Sequence, residues 1–359
     1  MQIIRYFKLV KKFGILSIIY RYHYKKTGRE LPRTLGLAFN FGNKITNRIR
    51  YRNDMSIDIY TYDGSDQVVH PDVDVLPDGR AILVCTPYPY NTEIYENPCL
   101  YVFPAALLSG NIAGARAKEP VKNPIDKRHG SKRGEHMSDP AVIIYDGKIH
   151  LFYRDCEFIA GKPMDLLYEK VYSAEDYSLI EDSLVSKSDK ICVSPTFIEN
   201  GIELKNFSVL YSDNDSQIVF STKKLFDANA QWSEYTVSEI AQGGILQDYY
   251  VWHISISYKF NRSKHYQGEN NDLIGIFTMR YRANNDLYKL FAAVCCDGKW
   301  VITNEIPLPE NFRRNGFTPY KSCILQNSSL IIVSAYDRKK RWKLLYLKVE
   351  DTMFEYEEN

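Results

Sequence analysis

One short phrase recurs along the chain in altered form, and its spacing limits what the chain can fold into. It reads His70-Pro71-Asp72-Val73, then Ser138-Asp139-Pro140-Ala141-Val142, then Val193-Ser194-Pro195-Thr196. Trp252-His253-Ile254-Ser255 and Tyr320-Lys321-Ser322-Cys323 follow. Each phrase leads into an apolar, β-prone run such as Ala81-Ile82-Leu83-Val84, Leu273-Ile274-Gly275-Ile276-Phe277 or Leu330-Ile331-Ile332-Val333. The steps from Asp72 to Asp139, Ser194, Ser255 and Ser322 are about 67, 55, 61 and 67 residues. A period of this size marks a radial or stacked repeat. Short strands separated by polar turns suggest sheets of about four strands arranged as blades. Five phrases predict an all-β, five-bladed β-propeller.

The rest of the chain fits one large domain with an extension. The expected division is a basic amphipathic N-terminal extension over residues 1–50 and the propeller over 51–359. Tyrosine, with 28 copies among 359 residues, favours strands. Asp146-Gly147 and Asn200-Gly201 read as hairpin turns. The stretch around Ser56-Ile57-Asp58-Ile59-Tyr60 alternates and reads as a first strand, one that can close the ring by joining the last blade. Residues 111–134 form a polar, lysine-rich connection between the first two blades: a solvated loop, or the mouth of a funnel that attracts an anionic ligand.

The charge balance, 46 basic against 44 acidic residues, gives no support for a nucleic-acid partner. The seven cysteines are scattered, without the paired spacing of a zinc site, and read as reduced small hydrophobes, which points to a reducing compartment. Residues 1–26 are basic and apolar by turns, and the apolar stretch Phe13 to Tyr20 is too short to span a bilayer. The segment reads as a helix on an anionic membrane surface or as a cap packed on protein, so the expected location is cytoplasmic, with peripheral membrane contact through residues 1–26 as one alternative.

In a propeller the innermost strands converge on one axis, so the five phrases should bring distant residues around a central pit. Acids from different blades facing one pit suit glycosidic chemistry, which needs one ionised carboxylate and one protonated carboxylic acid. Asp72 and Asp139 are candidates from the phrases, and Glu96, in the Pro-rich segment Tyr95-Glu96-Asn97-Pro98, is a third. His70, Tyr88, Ser194, Trp252, His253 and Ser322 are the candidate substrate-binding residues, with Trp252 to stack on a sugar and His253 to bond a hydroxyl. His70, His136 and His253 lack the linear spacing of a metal motif, so no metal and no cofactor is expected. The expected partner is a carbohydrate.

These residues resemble the five-bladed β-propeller glycosidases of the family 43 type and their fructan- and arabinan-cleaving cousins, with this chain as a divergent bacterial member. The resemblance rests on the order of His70-Pro71, Thr86 to Pro89, Tyr95 to Pro98, Ser138 to Pro140, Ser194-Pro195 and Trp252 to Ile254, and covers roughly Tyr51 to Val349. It implies that Asp72 is the general base and that Asp139 tunes the acid. The family's acid, a Glu in the third-blade phrase, has no counterpart in Cys192-Val193-Ser194-Pro195. The resemblance therefore leaves two alternatives. Glu96 takes over as acid, or the pit binds or transfers sugar without hydrolysis, as a membrane-peripheral protein of cell-surface polysaccharide assembly or a glycan-binding propeller.

Overall fold

The computed structural model describes residues 55–103, 136–325 and 329–355, apart from 58, 160, 214, 226, 228, 242 and 259–272, together with isolated positions at 15, 18, 19, 22, 23, 26, 122 and 125. The expected helix of residues 1–26 and the lysine-rich connection 111–134 therefore lie almost wholly outside the described residues. Ile15, Ile18, Ile19, Tyr22, His23 and Lys26 are helical. Among the described residues no helix is long and apolar enough to cross a membrane.

The described strands form five antiparallel sheets. The first contains β2 (Val68–Val75), β3 (Ala81–Pro87) and β4 (Cys99–Phe103). The second contains β5 (His136–Tyr145), β6 (Lys148–Ile159), β7 (Lys162–Ser173) and β8 (Leu179–Ser188). The third runs from β9 (Cys192–Glu199) through β10 (Glu203–Ser212) and β11 (Asp215–Lys224) to β12 (Thr236–Ser238). The fourth contains β13 (Tyr249–Tyr258), β14 (Leu273–Tyr281), β15 (Tyr288–Cys296) and β16 (Lys299–Ile306). The last contains β17 (Thr318–Leu325), β18 (Leu330–Tyr336) and β19 (Trp342–Lys348). Its fourth strand is β1 (Ser56–Ile57), which pairs with β19 through Ser56–Leu345 and Ile57–Leu344. The chain thus closes the ring with its own beginning, as the alternating stretch predicts, and the fold is a five-bladed β-propeller.

The continuous apolar runs follow from this arrangement, because a blade between two neighbours has both faces buried. Ile82 and Val84 pack with Val142, Ile144, Ile149 and Leu151 of the second blade. Leu83, between them, turns the other way, to Cys323, Leu325 and Ile332 of the fifth. Ala141 and Ile143 reach Phe197 and Leu204 of the third blade, and Phe152 stacks on Phe197 with ring centroids 3.8 Å apart. Each such fully buried aliphatic side chain contributes about 1.5–3 kcal/mol, so every interface between blades is a hydrophobic core of its own. The seven cysteines are all free thiols, five of them buried.

Polar stitches accompany each apolar seam. Asp72 Oδ2 accepts the Val142 N–H at 2.8 Å and Asp74 Oδ2 the Ile144 N–H at 2.7 Å, joining blade one to blade two. Asp165 Oδ2 accepts the Cys192 N–H at 2.9 Å between blades two and three. Ser194 and Thr196 accept the Ile254 and Ile256 N–H groups at 3.1 and 3.4 Å between three and four. Ser255 Oγ accepts the Ile324 N–H at 3.2 Å, and Gln67 Oε1 accepts the Trp342 N–H at 3.2 Å, completing the circle. A buried backbone amide needs a partner, and innermost strands have no further strand beside them to supply it; Trp342, at the start of β19, lies outside the two residues that β1 pairs.

Candidate active site

Each recurring phrase carries a β-bulge. The register slips between Val69 and Asp72, between Ser138 and Ala141, between Val251 and His253, and between Pro319 and Lys321. In the third blade the matching slip falls opposite Ser194-Pro195. His70, Asp139 and Ser194 hold φ of 54°, 47° and 57°, the left-handed region that residues other than glycine seldom enter. Each precedes a proline. The bulge breaks the alternation of the strand and re-aims one side chain.

The side chains so aimed meet at one carboxylate. Asp139 Oδ1 has His70 Nε2 at 3.5 Å, His253 Nε2 at 3.7 Å and Lys321 Nζ at 3.8 Å. Asp139 Oδ2 accepts Arg154 NH1 at 2.8 Å, and Arg154 Nε in turn reaches Asp165 Oδ1 at 2.9 Å. The other face of the His70 ring meets Glu96, with Nδ1 to Oε1 at 3.3 Å, and Glu96 Oε2 lies 3.3 Å from His136 Nε2. His253 Nδ1 donates to the Tyr320 carbonyl at 2.9 Å. All of these groups except His136 are nearly sealed from solvent, with Asp139 and Glu96 both 3% exposed. Asp139 Oδ1, Glu96 Oε1, Lys321 Nζ and Ser322 Oγ are buried without a hydrogen-bond partner. A cluster of unmatched donors and acceptors around one point is costly in a protein that binds nothing there.

Charge sorts the two acids. Burial, reinforced by the nearby Asp139 charge, pushes the Glu96 carboxyl well above the usual range, which favours its protonated form. Burial works against charge on Asp139 too, but the positive groups around it win and hold it well below the usual range. The lasting part of that field comes from Lys321 and Arg154, because burial drives His70 down to about 3 and His253 well below its ordinary value, leaving both imidazoles neutral. Burial lowers Lys321, with Asp139 and Asp72 opposing the shift.

The structure distributes the sequence candidates unevenly. Asp139, Glu96, His70 and His253 come together. Asp72 bonds the Val142 amide at the seam with blade two while its charge also acts on Lys321; the Ser194 hydroxyl both donates to Ile254 O at 2.9 Å and accepts its N–H at 3.1 Å, which commits it to the fourth blade. Trp252 is not an open platform for a sugar, because the Arg280 guanidinium lies over its ring at 4.6 Å and Tyr211 abuts it edge-on at 5.4 Å. Tyr88 belongs to an aromatic wall, edge-on to Trp342 at 5.2 Å, that continues through Tyr320 and Tyr336. Ser322 is buried at 1% exposure.

Arg154, Asp165 and Lys321 are residues of this cluster that sequence reasoning passed over, while His136 was weighed there only as a metal candidate. Arg154 could have been found by counting back from the Asp146-Gly147 turn: Tyr145 pairs with Lys148, that register carries Arg154 to Asp139, and the bulge shifts it by one residue to Ser138. Lys321 stands inside the fifth phrase, beside the chosen Ser322. His70, Asp139 and His253, far apart along the chain, come from three blades and bring one donor atom each within 4.8 Å of the others.

No protein-family model and no curated protein sequence matches the chain. Solved structures do match its fold. A glycoside hydrolase is 10% identical, with 82% of this chain and 91% of that one covered and a TM-score of 0.51. A β-xylosidase is 9% identical, with 79% and 92% covered and a TM-score of 0.49. An arabinanase of Bacillus subtilis is 10% identical, with 80% and 95% covered and a TM-score of 0.46. At such identities the likeness is one of fold, and the chain is a five-bladed β-propeller resembling the family 43 glycosidases.

Proposed function

We propose that the protein is a glycoside hydrolase in which Glu96 is the acid and Asp139 the ionised carboxylate. One observation carries the reading: two buried carboxyls, one pushed above the usual range and the other held below it, flank one imidazole. Their facing oxygens stand no more than about 9 Å apart, the reach of the two contacts plus the ring between them, within the range glycosidase pairs use. In the reaction, Glu96 gives its proton to the glycosidic oxygen as the bond to the anomeric carbon breaks. Asp139 takes a proton from the attacking water, whose oxygen joins that carbon. Asp72, the base implied by resemblance, is replaced in this role because its carboxylate supports the Val142 amide. The test is a panel of aryl furanosides and pyranosides with polymeric arabinan, offered to the wild type, Glu96→Gln and Asp139→Asn. Each substitution is expected to lower kcat about 100-fold or more. Full activity in both variants, or a wild type inert on the whole panel, would sink the proposal.

A second reading is favoured by the Lys321 and Arg154 cations on Asp139, which weaken it as a base. On this reading the pit binds or transfers a sugar without hydrolysis, in a cytoplasmic, membrane-peripheral protein of cell-surface polysaccharide assembly. Glycan binding without turnover, together with flotation on anionic vesicles that requires residues 1–26, supports it. Turnover by the wild type rules it out.

A further inference from the structure

We infer that His70, Asp139 and His253 form a binding site for one divalent transition-metal ion, through His70 Nε2, Asp139 Oδ1 and His253 Nε2. The first ground is convergence. Both imidazole nitrogens face the same carboxylate oxygen, at 3.5 and 3.7 Å. These gaps exceed hydrogen-bond length, yet lie close to the roughly 3.4 Å that separates neighbouring donors around a tetrahedral ion with bonds of about 2.0–2.1 Å. The three donors already lie within 4.8 Å of one another, so closure onto an ion requires only side-chain rotation.

The second ground is how the remaining atoms of the three residues are used. The His253 Nδ1–H donates to the Tyr320 carbonyl at 2.9 Å, and a carbonyl can only accept. The proton of the neutral ring is therefore on Nδ1, and Nε2 presents a lone pair to an ionised carboxylate oxygen. Two lone pairs facing each other in a buried place repel unless a cation stands between them. His70 Nδ1 lies 3.5 Å from the Thr86 hydroxyl, which can accept its N–H and leave the Nε2 lone pair toward Asp139. Arg154 holds Asp139 Oδ2 and leaves Oδ1, which has no hydrogen-bond partner. An imidazole whose far nitrogen is fixed by a carbonyl or carboxyl is the usual support of a metal-bound histidine. Two nitrogens and one carboxylate oxygen suit zinc, iron or manganese, and three protein ligands leave positions open for water or sugar hydroxyls.

The Lys321 ammonium is the competitor. It lies 3.8 Å from the same Asp139 oxygen, and Nζ has no hydrogen-bond partner. Ion and ammonium repel, so the lysine sets the affinity rather than the ligand set. Metal loading and base catalysis both need Asp139 Oδ1, so the readout is binding and not turnover.

The experiment uses the full chain, stripped with a chelator and titrated calorimetrically with Zn2+, with Co2+ in parallel for its visible absorption. One equivalent is expected to bind, with Co2+ giving the intense bands of a four- or five-coordinate site. His253→Gln and Asp139→Asn should each weaken Zn2+ at least 100-fold, and Lys321→Met should tighten it about tenfold or more. Thermal unfolding of each variant checks that it is folded, and Lys321→Met keeps the test open if the ligand variants fail to fold. Absence of stoichiometric binding in both wild type and Lys321→Met overturns the site. Binding that His253→Gln and Asp139→Asn leave unchanged, or that Lys321→Met does not strengthen, overturns it as well.

Discussion

Replacing Asp72 separates a seam from an active site. Its Oδ2 accepts the Val142 N–H at 2.8 Å, and its residue is 4% exposed. In Asp72→Ala the amide loses a charged acceptor, a loss of about 1.5–3 kcal/mol. We expect a net loss of about 2–3 kcal/mol. For a core of this size each kcal/mol moves the midpoint by about 1.5 °C, so the Tm should fall by roughly 3–5 °C. Asp72→Asn keeps an acceptor oxygen in place and should lose about 1 kcal/mol or less. Asp74 supplies an internal control, because its Oδ2 makes the same bond, at 2.7 Å to the Ile144 amide, two residues along the strand. Asp74→Ala should therefore resemble Asp72→Ala in scanning calorimetry and in urea titration. If Asp72→Ala melts with the wild type, the stitch is not what Asp72 is for. If Asp72→Asn melts normally and loses all turnover or sugar binding, its charge acts in the chemistry and the base returns to Asp72.

Two pH experiments probe the pit without a substrate. Glu96 has a folded pKa raised by burial, so above its ordinary 4.5 the unfolded chain ionises while the folded one stays protonated, and stability drains away as pH rises. Glu96→Gln removes this and should gain on the wild type by about 1.4 kcal/mol for each pH unit between 4.5 and the folded pKa; parallel urea curves at pH 5 and 7 would refute it. His70 and His253 have folded values depressed by burial, so below pH 6.5 the unfolded chain takes up protons that the folded one refuses. Stability should fall by about 1.4 kcal/mol per histidine per pH unit as pH drops from 6.5 toward the folded values. His253→Gln should make that slope shallower, and an unchanged slope would show that His253 is already charged in the fold.

The blades were legible because burial on both faces leaves a mark in composition: runs such as Ala81-Ile82-Leu83-Val84 and Leu330-Ile331-Ile332-Val333 can be apolar throughout only where each residue finds a neighbouring blade. Ring closure was legible from the alternation at Ser56-Ile57, and the hairpins from their turn residues. The site was legible only as a neighbourhood. Arg154 and Asp165 come from the second and third strands of blade two, outside any recurring phrase, and their relevance depends on cross-strand register. The protonation of Glu96 and Asp139 depends on which of them receives Lys321 and Arg154, and that is a matter of angstroms in three dimensions.

Within a phrase, the bulge decides which residue turns toward Asp139 and which holds the ring together. In blade one the sequence offers His70 and Asp72, two residues apart, and a regular strand would point them to the same face. The extra residue at the bulge breaks that equivalence. His70, at φ 54° before Pro71, turns toward Asp139, while Asp72 resumes the ladder opposite Val84 and binds the next blade. The same division in blade two gives Asp139 to the pit, at φ 47° before Pro140. In blade three the pre-proline residue is Ser194, whose short side chain reaches only the Ile254 backbone. A left-handed residue other than glycine costs on the order of 1–3 kcal/mol, and proline adds a restriction of its own. That strain persists because the seams on either side over-determine the backbone. It follows that the chemistry of the pit is set by what stands before proline in blades one and two. A histidine stands there in blade one and an aspartate in blade two, and the two face each other at 3.5 Å.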